Sequence, residues 1–276
     1  MGYQICPFMR ITIVGCGSIG SKLAKAADGM ADVKRIYLLD KRKEVAERTA
    51  AGLKKAIVID SVEEELYHTD LVIESASQEA AREILPKVAS RGVDIMIMSV
   101  GVFVDDVFRN MVFEKAKSAE AKIYIPTGAL CGCDGLRSAS CGELEEVELI
   151  SIKGPKSLGD IDYVINQGID VNKVTERTVI YTGFAREAVM LFPRNINVAA
   201  TVALLGMGFD KTKVTVVLDP EIKSNSHELR IKGSFGAMNC HTLNVPEPDN
   251  PKTSHLATLS AIATLKRIVR NEWFGV

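Results

Sequence analysis

The chain has 276 residues, enough for two lobes or for one large domain with a real core. Charged residues make up 25% and hydrophobic ones 47%, with a net charge of −1, so no basic excess points to a nucleic-acid partner. No apolar run approaches the length of a membrane span, and no basic amphipathic stretch points to a membrane surface.

The opening "MGYQICPFM" lacks the basic start and apolar core of a signal peptide, and Cys6 breaks the myristoylation pattern that Gly2 would open. Met9 directly precedes the first strand, so Met1 and Met9 both stand as start residues. With no export signal, the six cysteines (Cys6, Cys16, Cys131, Cys133, Cys141 and Cys240) are expected as reduced thiols in the cytoplasm.

Strand and helix patterns then alternate. "RITIVG", "KRIYLLD", "DLVIESA", "DIMIMSV" and "KIYIPTG" read as strands. Between them "SIGSKLAKAA", "KEVAERTAAG", "QEAAREILPKVASRG" and "DDVFRNMVFEKAKSA" read as helices. The strands are continuous apolar runs rather than alternating ones, which implies a parallel sheet covered on both faces: a doubly wound α/β domain of the Rossmann type. After Gly128 the pattern changes. "VELISIKG", "RTVIYTG", "KVTVVLD", "HELRIKG" and "AMNCHTLNV" read as strands, with helices only at "AREAVMLF" and "RNINVAATVALLGMG". That predicts an α+β domain with a mainly antiparallel sheet. The tail "SHLATLSAIATLKRIVRNEW" reads as a helix returning to the first domain. The expected boundaries are 1–127, 128–252 and 253–276.

Gly15-Cys16-Gly17-Ser18-Ile19-Gly20 follows the first strand and opens the first helix. Gly15 permits the tight turn, Gly17 lets the main chain approach a pyrophosphate, and Gly20 lets helix and strand pack closely. The free N–H groups of the helix start suit phosphate. Asp40 ends the second strand twenty residues after Gly20, where a carboxylate bonds both ribose hydroxyls and disfavours a 2′-phosphate. Lys41, Arg42 and Lys43 follow at once and would attract that phosphate, so NAD and NADP both stay open.

Ligands in such sheets bind beyond the strand carboxyl ends. "ESASQ" (Ala76, Ser77 and Gln78), "SVGVF" and "PTGALCGCDGL" occupy those places, and the last reads as a small-residue hinge between the domains. Cys131, Cys133 and Cys141 lack the paired spacing of a zinc site, so no metal is expected. Among the histidines, His68 lies in a polar connector, His241 alternates within a strand, and His255 stands at a helix start. His227 shares its strand face with Leu229 and Ile231. That phase fits a packed core histidine. Its place at the strand's start, two residues after Asn225, also fits a half-buried neutral base opening on a cleft.

Taken together, "GCGSIG", "ESASQEA", "TGALCGCDGL", "FPRNINVAAT", "NSHELRIKGSFG" and "NPKTSHLATLS" resemble the L-aspartate dehydrogenase family, in order and over nearly the whole chain. The resemblance implies NAD(P)-dependent oxidation of L-aspartate to iminoaspartate, which hydrolyses to oxaloacetate and ammonia or feeds NAD biosynthesis, and a homodimer. It places the active-site histidine on His227 and cofactor contacts on Ala129 and Asn197. The "CGC" and a longer stretch around 153–176 depart from the family pattern. Two substrate carboxylates need holding, and Asn225, Lys252 and Thr253 are the candidates, Lys252 in a Pro-bounded loop. A dimer is also expected from the second sheet, whose apolar face has no obvious helices to cover all of it. The alternatives are a related two-domain NAD(P)-dependent reductase of another amino or keto acid, or a non-catalytic NADH sensor. No Lys-Pro pair, His-His pair or DNA-reading helix favours them.

Overall fold

The computed structural model describes residues 8–192, 197–222 and 224–273, with the side chains of 251 and 252 left out. The chain forms two compact units. The first runs to Pro126 and resumes at Thr258; the second spans Thr127–Ala257.

The first unit is a six-stranded parallel sheet in the order β3-β2-β1-β4-β5-β6. Its strands are β1 (Met9–Val14), β2 (Val33–Leu39), β3 (Ala56–Val58), β4 (Leu71–Glu74), β5 (Asp94–Ile97) and β6 (Ile123–Tyr124). The crossover helices are α1 (Ser18–Asp28), α2 (Lys43–Ala50), the single turn α3 (Val62–Glu65), α4 (Gln78–Ser90) and α5 (Asp106–Ser118). Each buries one stripe on the sheet, as Leu23, Ala24 and Ala27 do on α1. Strand order reverses between β1 and β4, so the loops after those strands flank a switch point. Two elements differ from the sequence pattern. β3 is too short to register as a strand, and "SVGVF" curls into a 3₁₀ turn at Val100–Val104.

The second unit carries a five-stranded sheet in the order β11-β10-β7-β9-β8. Its strands are β7 (Leu144–Lys153), β8 (Thr178–Phe184), β9 (Lys213–Leu218), β10 (Ser226–Gly233) and β11 (Gly236–Leu243). Only β7 and β9 pair in parallel. Among the described residues this unit carries α6 (Cys133–Ala139), α7 (Pro155–Leu158), α8 (Asp162–Asn166), α9 (Ala185–Leu191) and α10 (Asn197–Leu205). The last four of the eleven residues of "PTGALCGCDGL", expected as a hinge, are helical, because α6 starts at Cys133. Its glycines misled the reading. A methyl group on Gly132 would strike the Cys240 side chain and one on Gly135 would crowd Met238 Sδ, so glycine lets α6 lie close on β11.

This covering corrects the premise for a dimer. The apolar sheet face (Val147, Leu149, Val214, Val216, Leu229, Ile231) is buried, with α6, α9 and α10 contributing buried residues of their own. Tyr163, Tyr181 and Phe192 close its edge as an aromatic cluster. The opposite face is charged at one end, with Lys213 to Glu146 at 2.7 Å and Arg230 to Glu228 at 2.9 Å and to Glu148 at 3.5 Å, and apolar at the other, where Ile150, Ile152 and Val217 cluster.

A small hairpin, β12 (Pro246–Glu247) with β13 (Asn250–Ser254), occupies the stretch expected as a loop. α11 (His255–Arg270) follows, and its Ala261, Leu265, Ile268 and Val269 enter the first unit's core beside Ile11, Leu23 and Ile36. Among the described residues, no helix is long and apolar enough to cross a membrane.

Candidate functional site

In the first unit the main chain builds a cradle at the switch point. Gly15 has φ +91°, and a side chain there would press on the Ala76 backbone at 2.7 Å. A methyl on Gly20 would collide with the Gly15 carbonyl oxygen. Gly17 has no neighbour within 4 Å of where a side chain would start, and it caps α1 without any side-chain hydrogen bond. The amides at this helix start thus have no side-chain cap among the described residues. Gly15, Gly17, Asp40, Ala76 and Ser77 line one cavity of about 1010 Å³. Ser18 Oγ is buried without a partner, Ile19 packs on the core, and Gln78 begins α4 without lining the cavity.

Asp40 is bonded to the chain before any ligand arrives. Its Oδ2 accepts from the Cys16 amide at 2.8 Å and its Oδ1 from the Arg42 amide at 3.0 Å, leaving lone pairs for hydroxyl groups. Burial, with Asp40 adding to it, pushes the Cys16 thiol up to about 12. Lys41, Arg42 and Lys43 line the same cavity, and Lys43 meets Asp60 at 2.7 Å. Sequence reasoning missed Glu74. Its side chain is 0% exposed at the end of β4. It accepts from the Ala76 amide at 2.8 Å, the Ser99 amide at 3.0 Å and the Ser99 hydroxyl at 2.9 Å. One carboxylate thus ties the loop after β4 to the loop after β5. Burial raises its pKa while these donors hold it back.

In the second unit the polar groups gather in two cross-strand rows. His227 pairs with Ser151 on β7 and with Thr242 on β11, so the three share one sheet face. One step further along, Asn225 and Asn244 continue the ladder through an amide-to-carbonyl bond of 2.9 Å, and the same register sets Lys153 beside Asn225. The apolar face thus ends in Ser151, His227 and Thr242, then Lys153, Asn225 and Asn244.

His227 was expected to open on a cleft; it is 3% exposed instead. The reason is its position between β7 and β11 rather than at a sheet edge. Among the described residues its Nδ1 has no hydrogen-bond partner. Burial, with the Lys153 charge added, drives its pKa down to about 3, so the ring is neutral at physiological pH. Lys153 is itself 3% exposed, and burial lowers its pKa to about 8. Ser151 Oγ and Asn244 Oδ1 are buried and unpartnered as well.

Neighbouring groups anchor this end of the sheet. Asn244 Nδ2 donates to the Ala129 carbonyl at 3.2 Å, and Thr242 Oγ1 accepts from the Cys131 amide at 3.2 Å. Ala129 is thereby held against the polar rows. A methyl on Gly128 would lie 3.5 Å from Val198, beside Asn197 at the start of α10. Asn225 and Asn244 line a cavity of about 840 Å³ with Ser157, Asn250 and Ser254. Thr253 Oγ1 accepts from Asn250 Nδ2 at 3.0 Å, and the Lys252 side chain lies outside the described residues. Two of the other histidines are engaged elsewhere. His241 Nε2 meets Ser226 Oγ at 2.8 Å on the opposite face, and His255 Nδ1 lies 3.2 Å from both oxygens of the buried Glu247.

Residues 134–268 match the family described as aspartate dehydrogenase, C-terminal, and residues 15–126 match the homoserine dehydrogenase NAD-binding domain. An L-aspartate dehydrogenase of Methanosarcina acetivorans is 43% identical over 269 residues, covering 97% of this chain and 99% of its own. The chain belongs to the aspartate dehydrogenase family. The L-aspartate dehydrogenase of Methanothermobacter thermautotrophicus is 39% identical over 97% of this chain and 98% of its own. The crystal structure of aspartate dehydrogenase from Thermotoga maritima superposes with a TM-score of 0.73 at 30% identity, covering 95% of this chain and 96% of that one. For a member of the aspartate dehydrogenase family, the notable omissions of the sequence reading are Ser151, Lys153 and Asn244. Strand phase carried the signal: Val147, Leu149, Ser151 and Lys153 alternate on one face, so the lysine is in step with the core.

Proposed function

We propose that this protein oxidises L-aspartate to iminoaspartate with NAD or NADP, the imine then hydrolysing to oxaloacetate and ammonia or entering NAD biosynthesis. The observation that carries this reading is the pairing, in one chain, of a glycine cradle at a switch point with a buried neutral imidazole whose Nδ1 has no partner. Membership of the aspartate dehydrogenase family narrows the substrate to aspartate.

The cradle fits a dinucleotide. Gly17 leaves room for a pyrophosphate, the start of α1 offers amides, and Asp40 keeps lone pairs for ribose hydroxyls. Ser18, Ile19 and Gly20 belong to this cradle as the turn and packing that shape it, and Ala76, Ser77 and Gln78 as the facing loop. A bound nicotinamide would supply the acceptor for a hydride from C2 of the substrate. His227 takes the proton released as the amine becomes an imine, and in hydrolysis it relays a proton from the attacking water. Ala129 and Asn197 contribute cofactor contacts from the second unit, and Asn225, Lys252 and Thr253 contribute to holding the substrate. A cytoplasmic site of action is supported by the free thiols of Cys16, Cys131, Cys133, Cys141 and Cys240. A homodimer is supported by Val179, Leu243 and Val245, which stand more than half exposed on the second unit.

The test is a panel of L-amino acids with NAD and with NADP, followed by the absorbance of the reduced nicotinamide. Turnover of L-aspartate above L-glutamate, L-alanine and L-asparagine is expected. Turnover of none of them with either cofactor would overturn the reading.

A further inference from the structure

We propose that Lys153 is the residue that receives a carboxylate of the substrate, with Ser151 and Asn244 completing the pocket. The proposal rests on the dehydrogenase reading above for the identity of the substrate.

Lys153 ends β7 in phase with Leu149 and Val147, so its stem enters the covered face of the sheet. Desolvation alone acts on its charge; no carboxylate or hydrogen bond among the described residues offsets it. An unpaired buried ammonium is costly, and an apolar side chain of similar length would fill the space without that penalty. A fold that keeps lysine there is holding a charge for a ligand.

The surrounding atoms point to the class of ligand. Among the described residues, Ser151 Oγ, His227 Nδ1 and Asn244 Oδ1 are each buried without a hydrogen-bond partner, on the same face and within two cross-strand steps. The Asn244 amide is oriented, because its Nδ2 is bound to the Ala129 carbonyl; its free atom is therefore an acceptor. The set offers one cation, one hydroxyl, one amide oxygen and one imidazole nitrogen. An α-amino acid carboxylate supplies the complement, with oxygens for Lys153 and Ser151 and an amino group for Asn244. Opposite residues on neighbouring strands have Cβ atoms about 4.5–5.5 Å apart, which matches the span of a small amino acid across two rows. Seating a carboxylate at Lys153 also offsets the charge that acts against protonation of His227.

The experiment uses Lys153→Met and Ser151→Ala in the full chain, with calorimetric titration of succinate, an unreactive dicarboxylate, in the presence of NADH. L-Aspartate kinetics run alongside. Lys153→Met is expected to weaken succinate and raise the KM for aspartate by about 30-fold or more, leaving the NADH affinity unchanged. Its melting temperature should equal or exceed that of the unsubstituted protein, which a packing lysine would not give. Ser151→Ala is expected to cost about 3- to 10-fold in the same two quantities. If Lys153→Met does not fold, Lys153→Gln is scored by the same measurements. A change below about threefold in succinate affinity on losing the Lys153 charge overturns the proposal. L-Asparagine separates the two carboxylates: loss of discrimination between aspartate and asparagine in Lys153→Met assigns Lys153 to the side-chain carboxylate, and equal weakening of both assigns it to the α-carboxylate. Succinate binding that depends on Lys153 in a protein inert toward every amino acid would sink the dehydrogenase reading and leave the carboxylate site standing.

Discussion

The two units differ in how they treat most of their polar groups, Ser18 Oγ being an orphan of the first unit. In the first, the Glu74 carboxylate is sealed from solvent and accepts from two amides and a hydroxyl, and Asp40 accepts from two more amides. In the second, Ser151, His227 and Asn244 each bury an atom with no partner beside an unpaired lysine. Buried polar groups normally find partners, so each orphan calls for an explanation. The contrast separates scaffold from site. On the proposed reading, the nucleotide half is shaped by main chain and braced in advance, and the second unit keeps its hydrogen-bonding capacity for a substrate.

The largest expected effect tests the second half of that contrast. His227→Asn should lower aspartate turnover by about 10²–10⁴-fold, retain NADH binding and melt near the normal temperature. Near-normal turnover with early melting would make His227 a packing residue and erase the distinction. Gly20→Val probes the first half. The new side chain meets the Gly15 carbonyl oxygen and the Ser75 side chain, so stability should drop by about 1–3 kcal/mol in a urea melt, with loss of NADH fluorescence enhancement. An unchanged melt would show that the loop yields and is not braced.

Asp40→Ala has a smaller, selective effect. Losing a charged acceptor for ribose hydroxyls should weaken NAD by about tenfold while NADP is weakened less, since Lys41 and Arg42 remain. Equal losses for both cofactors would confine Asp40 to bracing the Cys16 and Arg42 amides. The smallest effect is a slope. His227 falls from an ordinary 6.5 to about 3 in the folded chain. Between those values the unfolded chain binds the extra proton, so stability should fall as pH drops through that window and be insensitive to this group above it. His227→Asn should flatten that part of the urea-midpoint profile; an unaltered profile would mean that the ring is solvated in solution.

The same contrast explains what was readable in advance. Gly15, Gly17, Gly20 and Asp40 act through local turns and a strand end, so their spacing along the chain mirrors their geometry. The parallel sheet was legible for the same reason, its central strands being near-continuous buried runs such as Leu71–Glu74. The polar rows were not. Lys153, Asn225 and Asn244 are joined by strand register across more than seventy residues of chain, and no linear motif records register. His227 stood out through phase and family resemblance, yet its depth went unseen because β10 lies inside the sheet order. α6 was hidden by Gly132 and Gly135, residues that read as hinge and serve as contact surface.

The first unit is discontinuous in sequence, and this governs how the chain emerges from the ribosome. Ala261, Leu265, Ile268 and Val269 complete a core that otherwise comes from residues before position 100. About 190 positions separate Leu71 from Leu265. At roughly 5–20 residues per second, some 10–40 seconds pass between the synthesis of the sheet and that of the helix that finishes its core. During that interval a nascent chain carries an incomplete apolar layer while the whole second unit is made. A premature stop after Ala257 would yield every polar group of the proposed substrate rows on a protein whose first unit lacks five buried side chains, Thr258 among them, a species suited to chaperone capture rather than to catalysis.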